Sequence, residues 1–291
     1  MKKTHVISLF ILSLFLTYPL LAQPFAIKDK IESLQDLRSK VSVADKGELL
    51  LDLAKLYLLD QQFELAMETY LKALEASTPK PAGTPSQEEM ALYDEVLAKY
   101  LEIHSGSVSR AQAHEILQEY ADLIDEHPDY NYFHFLMAVS YANVGDYEQF
   151  FELFYQSHLL YPDSYMSHRT KAVLYTKLAQ RGKIIEERDH AKAGIFVHAR
   201  KALEKYPEDV SLYKMIIDFS PEKGRAGVTM EVMEQMISQD RQIPRKDIYF
   251  FVVSAVETDQ KFLAERFLDK AREWYSYSQQ VEKSQRFLDR H

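Results

Sequence analysis

Along residues 47–79, GELLLDLAKLYLLDQQFELAMETYLKALEASTP, apolar positions recur every three or four residues. Leu50, Leu53, Ala54 and Tyr57 fall on one helical face, and Ala66, Tyr70 and Ala73 on a second, so two amphipathic helices are predicted. Only the polar LDQQ at 59–62 separates them, which leaves an antiparallel return as the way to pair the two faces: a helix hairpin. The pattern comes back at 131–162, where Ala138, Tyr141, Gly145, Tyr147, Phe154, Ser157 and Pro162 take the corresponding places. It comes back again at 245–274, with the turn TDQK at 258–261 and with Ala264, Leu268 and Ala271 marking the second helix.

Three intervening stretches carry weaker copies. In 87–128 the second helix keeps Tyr120 and Pro128, but SGSVS at 105–109 lengthens the turn. In 164–207 the pair keeps Ala172, Tyr175, Ala199, Ala202 and Pro207, while the charged TKLAQRGKIIEERDHAKAG at 176–194 extends or interrupts it. The stretch 209–242 offers two helical segments around SPEKGRAG at 220–227.

This small–aromatic–small recurrence resembles the tetratricopeptide repeat (TPR), whose period is about 34 residues and whose small residues let paired helices pack closely. Pro79 lies one position past the family's usual proline, and Phe150 stands where a small residue is usual. Either the helices separate at Phe150 or that ring faces a neighbouring hairpin. The resemblance implies an all-α, TPR-like superhelix, a solenoid of antiparallel hairpins over 47–274 with a capping helix at 23–46 and another at 275–291. It also implies a concave binding surface lined by the first helix of each hairpin. The inward places fall on Glu48, Leu51 and Lys55 in the first copy, on Tyr132, Phe135 and Val139 in the second, and on Tyr249, Phe250 and Val253 in the last. The basic and amide residues with which some TPR domains clamp a terminal carboxylate are missing at these places, so the expected groove is aromatic and apolar.

Ends and boundaries fit the same division. Ile27, Ile31, Leu34, Leu37 and Val41 form one stripe of an amino-terminal helix, which must be covered either by the first hairpin or by a second copy, making 26–41 a candidate homodimer contact. At the other end Val281, Phe287 and Leu288 are the few apolar contacts of a polar helix. Asp45 with Glu48, Ser86 with Glu89 and Ser109 with Gln112 have capping-box spacing. The Pro-rich STPKPAGTPS at 77–86 reads as a loop between hairpins.

The amino terminus adds a compartment. Lys2 and Lys3 precede an apolar run from Val6 to Leu16, then Pro19 and the small Ala22, the layout of a signal peptide over 1–22. The run is shorter than the roughly 20 residues a membrane span needs, so cleavage after Ala22 and no permanent anchor are expected. Periplasmic export is the first expectation and secretion the second. The chain has no cysteine, which excludes disulfides, thiolate metal sites and a lipid-acceptor cysteine. Its net charge of −9 becomes −11 once Lys2 and Lys3 are removed with the leader, a balance that argues against nucleic-acid backbones.

Catalytic patterns are absent: there is no H-E-x-x-H, no G-x-S-x-G and no glycine-rich phosphate loop. His114 beside Glu115, His158 with His168, and Asp189 beside His190 come nearest to metal or acid–base sets. None has the i, i+4 spacing of two ligands on one helical face, and surface or helix-end positions are expected for them. The sequence therefore predicts no catalytic residue, no metal and no cofactor. It predicts a scaffold of the bacterial envelope that holds a protein or peptide in its groove, with an apolar small molecule or lipid beside a transporter as the alternative.

Overall fold

The short polar breaks in the sequence close through one backbone device. Gln61, Gly145, Asp240 and Asp259 adopt left-handed φ values of 60°, 91°, 48° and 59°. The amide after each reaches back over the turn: Gln62 to the Tyr57 carbonyl, Asp146 to Tyr141, Arg241 to Met236 and Gln260 to Ala255, at 2.8–2.9 Å. This Schellman-type closure satisfies carbonyls that a helix end otherwise leaves open, and reverses the chain within a few residues. Three of the four turns are those of the well-matched hairpins.

The computed structural model describes residues 23–38, 40–42, 45–80, 85–104, 109–181 and 185–291. The expected signal segment 1–22 lies outside them, as do parts of the 77–86 and 105–109 loops. The described residues are all-α, without a strand. Helix α1 (Gln23–Leu37) leads into the hairpin of α2 (Lys46–Leu59) and α3 (Phe63–Ala76), followed by α4 (Gln87–His104) and α5 (Arg110–Glu126). Then come the hairpins α6 (His134–Val144) with α7 (Tyr147–Leu160) and α8 (Tyr165–Arg181) with α9 (Ile185–Lys205). After α10 (Val210–Asp218) and α11 (Glu222–Ser238), the pair α12 (Ile248–Glu257) and α13 (Lys261–Trp274) is followed by α14 (Gln279–Leu288). The hairpins stack into an all-helical solenoid. Ala54, Ala66, Ala73, Ala138, Ala172, Ala199, Ala202, Ala264 and Ala271 are fully buried where helices cross, because only a methyl leaves room for close approach.

Stacking order departs from chain order. Among the described residues the hairpin α2/α3 packs chiefly on α7 and α8, across the seam between the third and fourth pairs, rather than on α4 and α5. Phe150 is the reason the sequence could not place: it is 2 % exposed and lies 5.8 Å from the Tyr70 ring of α3, so it faces a neighbouring hairpin. Beside it the Phe151 ring stacks on Tyr70 at 4.0 Å, and Tyr70 Oη donates to the Phe151 carbonyl at 3.1 Å. The expected pair over 87–128 is correspondingly altered. Helix α5 lies along α6, whereas α4 reaches the 3₁₀ turn Asn131–Phe133, where the Tyr93 ring meets Tyr132 at 4.5 Å.

At the amino end, α1 buries Ile31 against α2, with Ile27 and Leu34 half-covered. The helix stops at Leu37, which is exposed, so Val41, expected to complete the stripe, lies beyond the helix. At the other end α14 lies on α12 and α13 and buries Val281, Ser284 and Leu288. The Ser109–Gln112 box forms in both directions. Ser86 accepts from the Glu89 amide, but the Glu89 carboxylate turns instead to the Tyr132 amide at 2.8 Å, pinning α4 to the 3₁₀ turn. Asp45 caps nothing because its carboxylate takes the Ser42 hydroxyl at 2.7 Å.

Candidate functional site

The residues expected to line an aromatic groove do not share one open surface. Phe135 is fully buried, and Leu51, Tyr132 and Val139 are buried with it, so they are core. Tyr132 and Phe135 pack edge-on to each other at 5.6 Å and against Tyr161, and Phe135 meets Phe154 at 5.3 Å, which leaves no face for a ligand. Lys55 pairs with Glu152 of α7, a consequence of docking the first hairpin there. In the last hairpin Tyr249, Phe250 and Val253 are half-buried. The Lys283 ammonium sits 3.9 Å over the Tyr249 ring, Phe287 closes its edge, and Lys214 covers Phe250 at 5.2 Å. Apolar side chains at those places serve packing between hairpins, which is why the sequence pattern marked them.

Between the starts of α8, α10 and α12 lies a cleft of about 710 Å³ that the pattern did not indicate. Two of its cations are engaged from within: Lys214 bonds Asp247 at 2.6 Å, and buried Arg169 pairs with buried Asp209 at 2.9 Å. Burial alone would push the Asp209 carboxyl up, but the Arg169 charge and bonds from Ser211 and Tyr165 hold it below the ordinary carboxylate range. Asp209 also accepts the Ser211 amide at 3.0 Å and so caps α10.

A second surface has the opposite character. Three adjoining clefts run along α3. The first, about 470 Å³, lies between α3 and the outer ends of α8 and α9, over Leu65, Leu71, Tyr175 and Leu178. A smaller one of about 210 Å³ shares Glu64, Leu178 and Arg181 with it and holds Phe63 and Tyr147. The third, about 570 Å³, shares Phe63 and Tyr147 and continues over Leu58, Leu59, Leu117 and Tyr141 to the α6–α7 turn. Leu59, Phe63 and Leu65 stand 46, 45 and 37 % exposed along it, an unusual concentration for one hairpin. The charged extension at 176–194 accounts for one wall: its described residues, 176–181 at the end of α8 and 185–194 at the start of α9, contribute Leu178, Arg181, Glu187, His190 and Ala191. Leu59, Phe63 and Leu65 lie off the small–aromatic–small stripe; apolar residues in excess of the repeat were the available signal.

Beside the Tyr70–Phe151 stack, the seam under the first hairpin has a polar part. His158 and His168, expected at the surface or at helix ends, are buried: His158 sits in the last turn of α7 and is covered by α3, and His168 sits in the first turn of α8 against α9. His158 Nε2 lies 3.0 Å from the Leu74 carbonyl of α3 and Nδ1 lies 2.8 Å from Ser167 Oγ of α8, so one imidazole ties three helices. His168 meets His198 at 3.0 Å and Asp163 at 2.9 Å. Burial, then the charge of nearby Lys171, lowers the His158 pKa to about 3; burial, Lys171 and His168 lower that of His198 to about 3. Lys201, Asp163 and Glu75 are the other charges facing this cluster. In the unfolded chain both histidines titrate near about 6.5. Their contribution to stability is therefore complete above that pH and falls as acid protonates the unfolded state first, by up to about 1.4 kcal/mol per histidine per pH unit. Chemical-denaturation midpoints should drop from pH 6.5 to pH 4, and His158→Gln should flatten the slope; a midpoint level across that window would contradict the coupling.

No protein-family model matches the chain, and no curated protein matches it. Among solved structures, a tetratricopeptide repeat protein from Parabacteroides merdae ATCC 43184 is similar at 16 % identity and a TM-score of 0.39, covering 92 % of this chain and 96 % of the other.

Proposed function

We propose that this protein is an exported scaffold without catalytic activity, which holds a segment of a partner protein in the groove along α3. The observation that carries the reading is the exposure of Leu59, Phe63 and Leu65 over clefts that join into one channel. Apolar side chains kept in water are costly unless a partner removes them from it, at about 25 cal/mol per Å². Stacked TPR-like hairpins suit this role because they offer long, preformed surfaces whose shape does not depend on the ligand. The amino-terminal charge and hydrophobicity pattern supports a site of action in the cell envelope.

The test uses a photo-crosslinking amino acid placed singly at Phe63, Leu65 or Leu178 of the full chain in its native cell. A discrete adduct of the same mass is expected at all three sites, with none from Tyr277, which is 95 % exposed and lies off the groove. Adducts equally abundant at Tyr277, or none at the groove, would sink the reading. Export is checked separately by the amino-terminal sequence of the protein recovered from the envelope, which should begin at Gln23.

A further inference from the structure

The occupant of the groove can be specified from its rim. Apolar side chains floor the channel, and carboxylates stand along its edges: Glu64 on α3, Glu187 on α9 and Glu148 on α7. Among the described residues these three form no ion pair. The lysines of the channel are already engaged. Lys55 is held by Glu152, Lys72 by Glu68, and Lys177 sits over the Tyr147 ring at 5.6 Å. Arg181 is the exception, on the same wall as Glu187. Even with Arg181 the first cleft keeps a net negative balance, its lining carrying Glu64, Glu68, Glu75 and Glu187 against Lys72 and Arg181, and Glu148 stands at the far end of the channel. A chain of net charge −9 also disfavours a second copy of itself in that place.

We infer that the groove along α3 takes an amphipathic segment whose apolar side chains rest on Phe63, Leu65 and Leu178 and whose lysine or arginine side chains meet Glu64, Glu148 and Glu187. This rests on the reading above that the channel holds a protein segment. Rim charges act mainly on partner choice and association rate, whereas the apolar floor supplies most of the affinity. A segment with acidic flanks would bring like charges together in the same geometry and be rejected. The extension of α8 and α9 is then a specificity element, since without Leu178 and Glu187 the first cleft has only one wall.

Fluorescence anisotropy on the full chain, with two designed 18-residue amphipathic peptides of identical apolar face, separates the possibilities. One carries lysine on its polar face and the other glutamate. The lysine peptide should bind at least about tenfold more tightly at low salt, a difference of about 1.4 kcal/mol, and the preference should shrink as salt is raised. The pair E64K/E187K should erase the preference, whereas E204K/E222K, an equal change of charge on exposed positions away from the channel, should leave it. Phe63→Asp should abolish binding of both peptides. If Phe63→Asp abolishes binding but the two peptides bind alike, or E64K/E187K has no effect, the basic character of the partner is wrong and the groove reading stands. If Phe63→Asp has no effect, both fail. Circular dichroism melts of each variant confirm that the fold is retained, and Phe63→Ser replaces Phe63→Asp if that variant does not fold.

Discussion

Asp209→Ala should lower the thermal unfolding midpoint by on the order of 10 °C, making it one of the two most damaging single substitutions expected in the chain. Asp209 is 4 % exposed and gathers four donors: Arg169 Nε at 2.9 Å, Tyr165 Oη at 2.7 Å, and the Ser211 amide and hydroxyl. Removing the carboxylate leaves the guanidinium buried without a counter-charge, orphans the Tyr165 hydroxyl and uncaps α10. Breaking a buried pair from one side costs about 3–5 kcal/mol, far more than the pair itself contributes, because the surviving charge has no water to return to. Asp209→Asn should be intermediate, since it keeps the cap and the tyrosine bond but not the charge. In a double-mutant cycle, Arg169→Met in the Asp209→Asn background should cost less than Arg169→Met alone, since it then removes a charge that has lost its partner. Additive losses in that cycle would show that the two groups are not coupled.

The hairpins were legible because their signals are local. Ala66, Tyr70 and Ala73, or Ala264, Leu268 and Ala271, repeat at helical spacing, and each turn needs only a few polar residues and one left-handed position. Which hairpin touches which was not legible, since Phe150 announces a large buried neighbour without naming it. Part of the expected aromatic lining is core for a related reason. An aromatic at an inward repeat position, such as Phe135, carries the same sequence signature whether a ligand or another helix covers it, and here Tyr132 and Phe154 cover it. Leu59, Phe63 and Leu65 carry no repeat signature, and the cleft over Leu65 exists only because α8 and α9 extend alongside α3. His158 shows the same limit in a polar residue: a histidine on a lone helix faces water, and only docking of α3 brings the Leu74 carbonyl to it.

That docking is itself testable through Phe151. Truncation to alanine removes a fully buried ring stacked on Tyr70 and should cost about 3–5 kcal/mol. The location of the damage is the sharper expectation. In a solenoid each unit is held mainly by its immediate neighbours, so loss at one interface need not spread. Among the described residues the α2/α3 hairpin rests chiefly on α7 and α8, with α1 on its other side. Hydrogen exchange in Phe151→Ala should therefore accelerate first in 46–76 and in α1, which depends on α2, while α12 and α13 keep nearly the protection they have in the unaltered protein. Tyr70→Phe provides the comparison, because it deletes only the hydroxyl bond to the Phe151 carbonyl and should cost about 1 kcal/mol. Acceleration spread evenly from α2 to α13 would mean that the chain opens as one cooperative unit, and would refute a first hairpin held chiefly by the seam. Selective opening would link stability to function, since α3 is both the helix that Tyr70 anchors and the floor of the channel. Phe151→Ala should then weaken peptide binding without touching a single residue of the groove.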